Sequence, residues 1–508
     1  MYTVFPRHDR REGARGYHVL PCDRDQLFLM PPALQEWLPE GDLAWFLLDA
    51  VAPMDLTKIE RTYRAEGWGQ AAYEPAMMVA LRLYAYCLGE RSGRQIERLC
   101  EREVACRVLA ANQRPDHTTI VRFRQTHETA LATLFTPVLT LCAAAGLVKV
   151  GVVALDGTTI KADAALAANR TAATIASEVT RMLTEAQATD AAEDRWPGPE
   201  QRGDAWPEAL RDRRSRLARL QACQERLTQE AATATVQQQA KIKARQAAAA
   251  ATGRKKRGRK PKAAADATAK ANVTDPESRI MKTQGGYVQG YKAQAIVTEA
   301  QIILAAAVTH EENDVRQLHP MLTEVQENLQ AIKHPPAITT ALADAGDCSE
   351  ATLTEADPDG PALLIATNKD WKQRQALREQ PPLRGSCPKG LTACDRMERT
   401  LLTTRGRRLY KKRGPDGRAG VRTDQEHPGL DRFMRRGKAA CDSEWKVLCA
   451  THNLLKLWRS GKAAWAGQRR GSGQRRLGRG SGKKIGDDPR EGHAPSQARQ
   501  RDAQMGTP

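Results

Sequence analysis

Apolar residues recur at helical spacing through the first third of the chain. Met77, Leu81, Tyr84 and Leu88 fall on one helical face, and Ile96, Leu99, Val104 and Val108 resume the pattern after a polar break at residues 90–94. Asp116 stands at an N-cap position ahead of residues 118–124, where its short side chain can accept from otherwise unpaired backbone amides. The spacing predicts helices over residues 30–147. The period changes at Val148, where VKVGVVAL (148–155) is short and β-branched and GTTIK (157–161) follows. This pattern predicts a buried strand with an acidic residue, Asp156, at its mouth.

From Ala164 to Ala271 the composition shifts to Ala, Gln, Arg, Lys and Glu, and Leu210, Leu217, Leu220 and Leu227 mark a long helix that interrupts the sheet. Strands resume with YKAQAIVT (291–298) and IILAAAVT (302–309), close enough together for a hairpin. Residues 314–329 read as a helix with Leu318, Leu322 and Val325 on one face. AITTALA (337–343) is a strand ending at Asp344, ALLIAT (362–367) is a fifth strand, and a last periodic helix spans about 440–458.

An antiparallel meander followed by helix-linked strands is the connectivity of an RNase H-like fold. The expected class is therefore α/β: a five-stranded mixed sheet with helices, preceded by an all-helical N-terminal domain. The expected organisation is a helical DNA-binding domain (1–147), a catalytic core (148–458) carrying a helical basic insertion at about 164–271, and a tail (459–508). The tail holds 12 Lys/Arg against 4 Asp/Glu with many Gly and Gln, a composition that predicts disorder.

Charge narrows the partners. A net charge of +19 and a pI near 9.6 suit a polyanion partner, and an Arg-rich, high-GC coding origin would produce the same balance. The 11 cysteines are irregularly spaced, as expected of reduced thiols in a cytoplasm rather than a disulfide framework. Cys387 and Cys394 have no His/Cys partner set that would suggest zinc. No stretch approaches the ~20 apolar residues of a membrane span, and MYTVFPRHDRREGARGY lacks the apolar core of a secretory signal.

Two carboxylates, Asp156 and Asp344, are expected at strand ends, where open α/β sheets place their chemistry. Side by side they would repel unless a cation bridged them. Mg²⁺ or Mn²⁺ commonly takes one or two carboxylates, waters and phosphate oxygens, so the pair could seat a metal; strand-terminal Asp also serves as a turn or cap residue. Candidate DNA contacts are the basic last turn of the N-terminal helices (Arg122, Arg124), which suits a helix-turn-helix-like reader and equally a packing helix. A second group is Arg254, Lys255, Lys256, Arg257 and Arg259, which reads as an AT-hook-like core or a phosphate-binding linker. Lys161, Lys292, Lys411, Lys412 and Arg413 are placed near the acidic edge, either on the DNA backbone or on a solvated face. His310, His319 and His427 have no ligand spacing and read as surface or capping residues.

Several stretches resemble the IS1182-type (IS4/IS5-like) branch of bacterial insertion-sequence transposases in the DDE superfamily. They are RPDHTTIVRFR (114–124), ALDGTTIKADAA (154–165), the long run from NVTDPESRIMKT to RQLHPML (272–322), ALADAGDCSE (341–350), RRLYKKRG (407–414) and GLDRFMRRGKAACDSEWKVLCATHNLLKL (429–457). The resemblance implies a cytoplasmic, nucleoid-associated enzyme that binds the terminal repeats and target in double-stranded DNA, working as a homo-oligomer. It further implies metal-dependent cleavage and strand transfer through an Asp-Asp-Glu triad, with Asp156 and Asp344 as the two Asp. Asp347 stands where the family usually has an aromatic residue, and Asp163 where Asn is common.

The third carboxylate departs from the family. Tyr410 and Arg413 match its Tyr-x-x-Arg stretch and are carried over as DNA contacts. The helix that follows in the family, approximately TVEPVFGQIK, is replaced by DGRAGVRTDQE (416–426), and the aligned Glu position falls on Arg418. Asp424 or Glu426 would have to substitute from a Gly-rich run, a poor way to hold a ligand. Residues 416–426 can be encoded by codons that, read one nucleotide later, give T-V-E-P-V-F-G-Q-I-K. We therefore hypothesise a pair of compensating frameshifts over about residues 416–427. The encoding DNA is expected to spell that stretch in the shifted frame; codons that do not would overturn the idea.

Overall fold

The computed structural model describes residues 34–63, 72–193, 208–252, 269–283, 285–311, 314–332, 338–368, 370–388, 390–413 and 430–463. Helices come first: α1 (Leu43–Val51), α2 (Thr57–Glu60), α3 (Pro75–Cys87), α4 (Gly93–Arg102), α5 (Val104–Leu109), α6 (His117–Thr126), α7 (Glu128–Ala132) and α8 (Phe135–Ala144). Asp116 caps α6, its carboxylate accepting from the Thr119 amide at 3.0 Å. Helix α3 opens on Pro75, whose missing N–H is harmless in a first turn. Residues 77–86 of α3 are all buried, which makes it the hub of the helical packing.

The remaining elements are β1 (Val152–Lys161), β2 (Asn169–Thr171), α9 (Ala172–Glu193), α10 (Glu208–Thr252), β3 (Lys270–Asn272), β4 (Arg279–Thr283), β5 (Gly286–Thr298), β6 (Ile303–Thr309), α11 (Leu318–Ala331), β7 (Thr340–Ala343), α12 (Glu350–Thr354), β8 (Ala362–Ile365), α13 (Asp370–Glu379), α14 (Ala393–Leu402), α15 (Thr404–Lys411) and α16 (Lys438–Arg459). The main sheet runs β6-β5-β1-β7-β8, with β4 beside the first half of β5. The β6-β5-β1 portion is antiparallel, and β1-β7-β8 is parallel. Helices α9 and α10 pack on each other through Ile175, Val179, Leu220, Cys223 and Leu227, and the β2–β3 pair closes their base.

Three expectations change. The sheet has six strands rather than five, because the short, largely polar RIMKT of β4 is held by pairing with β5 rather than by an apolar pattern of its own. Strand β1 does not end at Asp156: β5 is 13 residues long and pairs with β1 as far as Lys161↔Gly290, so the strand continues past the acidic residue. The helix expected from Asp314 begins at Leu318, because Asp314 is spent on a turn, its carbonyl accepting from the Gln317 amide at 2.8 Å. The segments 414–429 and 464–508, together with the basic run 254–262, lie outside the described residues.

One hydrophobic core extends from the N-terminal helices into the sheet, and α16 crosses its centre. β6 is an edge strand, and an edge exposes unpaired amides and carbonyls that need partners. Asn453 on α16 supplies two of them: its Nδ2 donates to the Ile303 carbonyl and its Oδ1 accepts from the Ile303 amide, both at 2.9 Å. Asp442 accepts from the Val308 amide at 2.8 Å, and Asn328 of α11 donates to the Leu304 carbonyl at 3.0 Å. On the opposite side of α16, Glu444 is 1% exposed and meets Arg91, 7% exposed, at 2.8 Å.

That buried pair ties the N-terminal helices to the sheet. Arg91→Met is expected to destabilise the fold by about 3–5 kcal/mol, because it strands a buried carboxylate. Adding Glu444→Leu should recover most of the loss. Urea unfolding of both variants checks this, and a double variant as unstable as the single one would show that the charge is not the cause.

Candidate active site

The parallel pairing of β7 with β1 covers Val152↔Thr340, Val153↔Ala341 and Ala154↔Leu342. Continued two residues further, the same register sets Asp156 beside Asp344 on one face of the sheet. The strands part at that point, because β1 follows β5 while the chain after β7 turns away. The Asp344 carboxylate caps this turn, accepting from the Gly346 amide at 2.6 Å.

Among the described residues, one cationic nitrogen lies near both acids. Nη2 of Arg413 is 3.8 Å from Oδ1 of Asp156 and 3.7 Å from Oδ2 of Asp344. Arg413 is 10% exposed at its side chain, against 35% and 41% for the two acids, so the cation sits deeper than the carboxylates it joins. The residues just before it are anchored. Tyr410 is buried in a cluster with Ala154, Leu342, Leu364, Ala366 and Leu401, and Lys412 pairs with Glu299 at 2.6 Å. Helix α15 reaches this position by packing hard on α14: a Cβ at Gly406 would lie 1.9 Å from the Thr400 carbonyl oxygen, so only glycine fits there.

A second acidic layer adjoins the first. Asp314 accepts from Lys292 Nζ at 2.9 Å and from Gln294 Nε2 at 2.7 Å. Gln294 occupies the space over Gly157, where a Cβ would come within 2.5 Å of its amide oxygen. Asp347 is 3% exposed and its Oδ1 has no hydrogen-bond partner. Burial pushes the Asp347 carboxyl up to about 8, with Asp344 and then Asp314 adding repulsion and Arg413 opposing them. Asp347 is thus buried next to the pair in surroundings that favour its protonated form.

The other expected site residues fall into separate groups. Arg122 is exposed on α6, whereas Arg124 turns inward, its Nη1 donating to the Arg91 carbonyl at 3.5 Å. Lys161 pairs with Asp431 at 3.4 Å, five residues along β1 from Asp156, or roughly 17 Å of strand. It is therefore not at the acidic edge. Lys292 and Lys412 are engaged by Asp314 and Glu299. Arg254, Lys255, Lys256, Arg257 and Arg259 lie outside the described residues, as do Arg418, Asp424, Glu426 and His427. His319 is occupied by the Thr352 carbonyl at 2.9 Å, and the nearest thiol to Cys394 is Cys348, at 4.0 Å, rather than Cys387. Asp314 and Gln294 escaped the sequence reading. The signal for Asp314 was its position in the turn before a helix, a place that also suits an ordinary cap.

Among the described residues no group of three His, Cys, Asp or Glu is arranged to hold a metal ion. Two carboxylates sharing one cationic nitrogen do, however, mark a position where a hard cation would meet both. Residues 32–126 match the family described as a transposase domain (DUF772), which spans α1 to α6 and includes Arg91. No curated protein and no solved structure matches the chain. Among the described residues, no helix is long and apolar enough to cross a membrane.

The Asp347 shift has a sign that can be tested. Its folded value lies above its value of 3.8 in an unfolded chain, so its contribution to stability is complete below about pH 4 and is lost as pH rises toward 8. Asp347→Asn, which keeps the shape without the charge, is expected to melt higher than the parent by a few degrees at about pH 8.5 and equally at about pH 4. A difference that does not change with pH would overturn the assignment.

Proposed function

We propose that the chain is a DNA transposase of the DDE class. It binds the terminal inverted repeats of an insertion sequence in double-stranded DNA and carries out divalent-metal-dependent strand cleavage and transfer as a homo-oligomer in the bacterial cytoplasm, on the nucleoid. The observation that carries this reading is the Asp156–Asp344 pair, two acids on adjacent parallel strands converging on one cation position. Two further facts support it. The strand order β6-β5-β1-β7-β8, antiparallel and then parallel, is the mixed order that an RNase H-like reading calls for, and residues 32–126 match a transposase domain.

In this reading Asp156 and Asp344 hold Mg²⁺ or Mn²⁺, whose preference for one or two carboxylates, waters and phosphate oxygens matches the pair. When bound, the metal supplies Lewis-acid activation of a water or 3′-hydroxyl and stabilisation of the leaving oxygen. The chain's own groups arrange the edge. Lys292 and Gln294 hold Asp314 beside the Asp344 turn, the Gly346 amide orients the Asp344 carboxylate, and Tyr410 anchors Arg413 where a phosphate would approach. Arg122, on the solvent side of α6, is free to face a phosphodiester backbone, and the basic run 254–262 adds sequence-independent affinity.

The chain as written cleaves poorly, because residues 416–427 carry Arg418 where the family has its Glu. A second reading follows from the same observation: a DNA-binding remnant with the transposase fold and no competent triad.

Replacing residues 416–427 by the shifted-frame stretch tests both. The parent should bind terminal-repeat DNA and nick it barely in Mg²⁺. The restored chain should nick faster by about two orders of magnitude or more, the scale set by losing one group that stabilises developing charge. Asp156→Asn in the restored chain should abolish the nicking. Rapid turnover by the parent would refute the impairment, and a restored chain that neither binds nor nicks would refute the transposase reading.

A further inference from the structure

We infer that Arg413 is the built-in counter-ion of the Asp156–Asp344 pair and competes with a divalent cation for the position between them, so that metal binding requires the guanidinium to leave. The inference rests on reading these two Asp as metal-binding carboxylates.

The geometry is that of a shared cation rather than a guanidinium fork. An Arg committed to one carboxylate places two N–H groups on its two oxygens at about 2.7–2.9 Å. Toward these two acids, one nitrogen stands near one oxygen of each, at 3.8 and 3.7 Å. Asp156 and Asp344 are brought together by the sheet register whether or not a cation is present, so their repulsion exists before any ligand arrives. Arg413 relieves it at the expense of a net charge of about −1 on the three groups, whereas a divalent ion in its place would neutralise the pair.

Both cations cannot occupy the gap, since like charges ~4 Å apart in a half-buried site repel strongly. The acids are more open to solvent than the guanidinium, so an incoming ion meets the carboxylates first. A buried acceptor adjoins the Asp344 turn: Oδ1 of Asp347 has no hydrogen-bond partner among the described residues. Tyr410 and Lys412 anchor the residues just before Arg413, so the inferred exchange is a movement of its side chain. The consequence is a threshold: the chain resists metal until enough is present to displace its own arginine.

Titration of the full-length chain with Mn²⁺ alone, without DNA, followed by the electron paramagnetic resonance of free Mn²⁺, tests this. Arg413→Gln is expected to bind Mn²⁺ at least about tenfold more tightly than the parent, the scale at which one like charge within ~4–6 Å shifts an equilibrium. Arg413→Lys, which keeps the charge, should stay close to the parent. If Arg413→Gln is marginally folded without metal, its melting temperature should rise with Mn²⁺ by more than the parent's does. Equal affinity in parent and Arg413→Gln, or equal tightening by the Gln and Lys variants, would overturn the inference. Asp156→Asn separates the two levels of the argument. If it abolishes Mn²⁺ binding while Arg413→Gln changes nothing, the metal reading stands and the counter-ion role falls; if it leaves Mn²⁺ binding intact, the metal reading itself falls.

Discussion

Beyond Ala154↔Leu342 the chain of β7 leaves β1, and the register sets the two carboxylates just past that point side by side, where like charges repel. The surroundings of the site answer this constraint. Helix α15 presses against α14 at Gly406 so that its end reaches the gap, Tyr410 is driven into the apolar cluster beneath β7 and β8, and Arg413 follows it between the acids. The turn after β7 folds back on Asp344 through the Gly346 amide, and this brings Asp347 into the protein where its carboxyl is more stable protonated. Each adjustment lowers the concentration of negative charge without removing the pair.

The same edge is positioned from the far side of the sheet. Helix α16 satisfies the outer amides and carbonyls of β6 with Asn453 and Asp442, and its Trp445 indole donates to the Gln294 carbonyl at 2.9 Å. Gln294 then lies over Gly157 and donates to Asp314, next to the acidic turn. Glu444, on the same helix, meets Arg91 within the segment that matches a transposase domain. One helix therefore connects the N-terminal helices, the sheet edge and the acidic layer through polar contacts that are buried and so intolerant of loss.

Much of the architecture was legible in the chain itself. The β5–β6 hairpin, the strand before Asp344, the Asp116 cap and α16 follow from local periodicity and capping chemistry, which act over a few residues and leave their mark in the order of side chains. The pairing of Asp156 with Asp344 was legible because each ends or interrupts an apolar run at a comparable place. The length of β1 was not, because it is set by β5, which supplies partners to a stretch containing Asp156 and Gly157 that looks like a strand end in isolation.

What tertiary structure alone decided are the contacts between residues far apart in sequence. Lys161 and Arg413 both looked like basic neighbours of the acidic edge, but strand geometry carries Lys161 toward Asp431 while the packing of α15 delivers Arg413 to the acids. Asp314 and Asp347 carry no pattern that separates them from turn residues; their meaning comes from Lys292, Gln294 and the depth at which they are buried. By itself the sequence determined most of the strands and helices and which two acids would meet, since those depend largely on neighbours along the chain. The cation that faces the acids was decided only by the fold, because charge interactions depend on distance in space and on burial, neither of which the order of residues records.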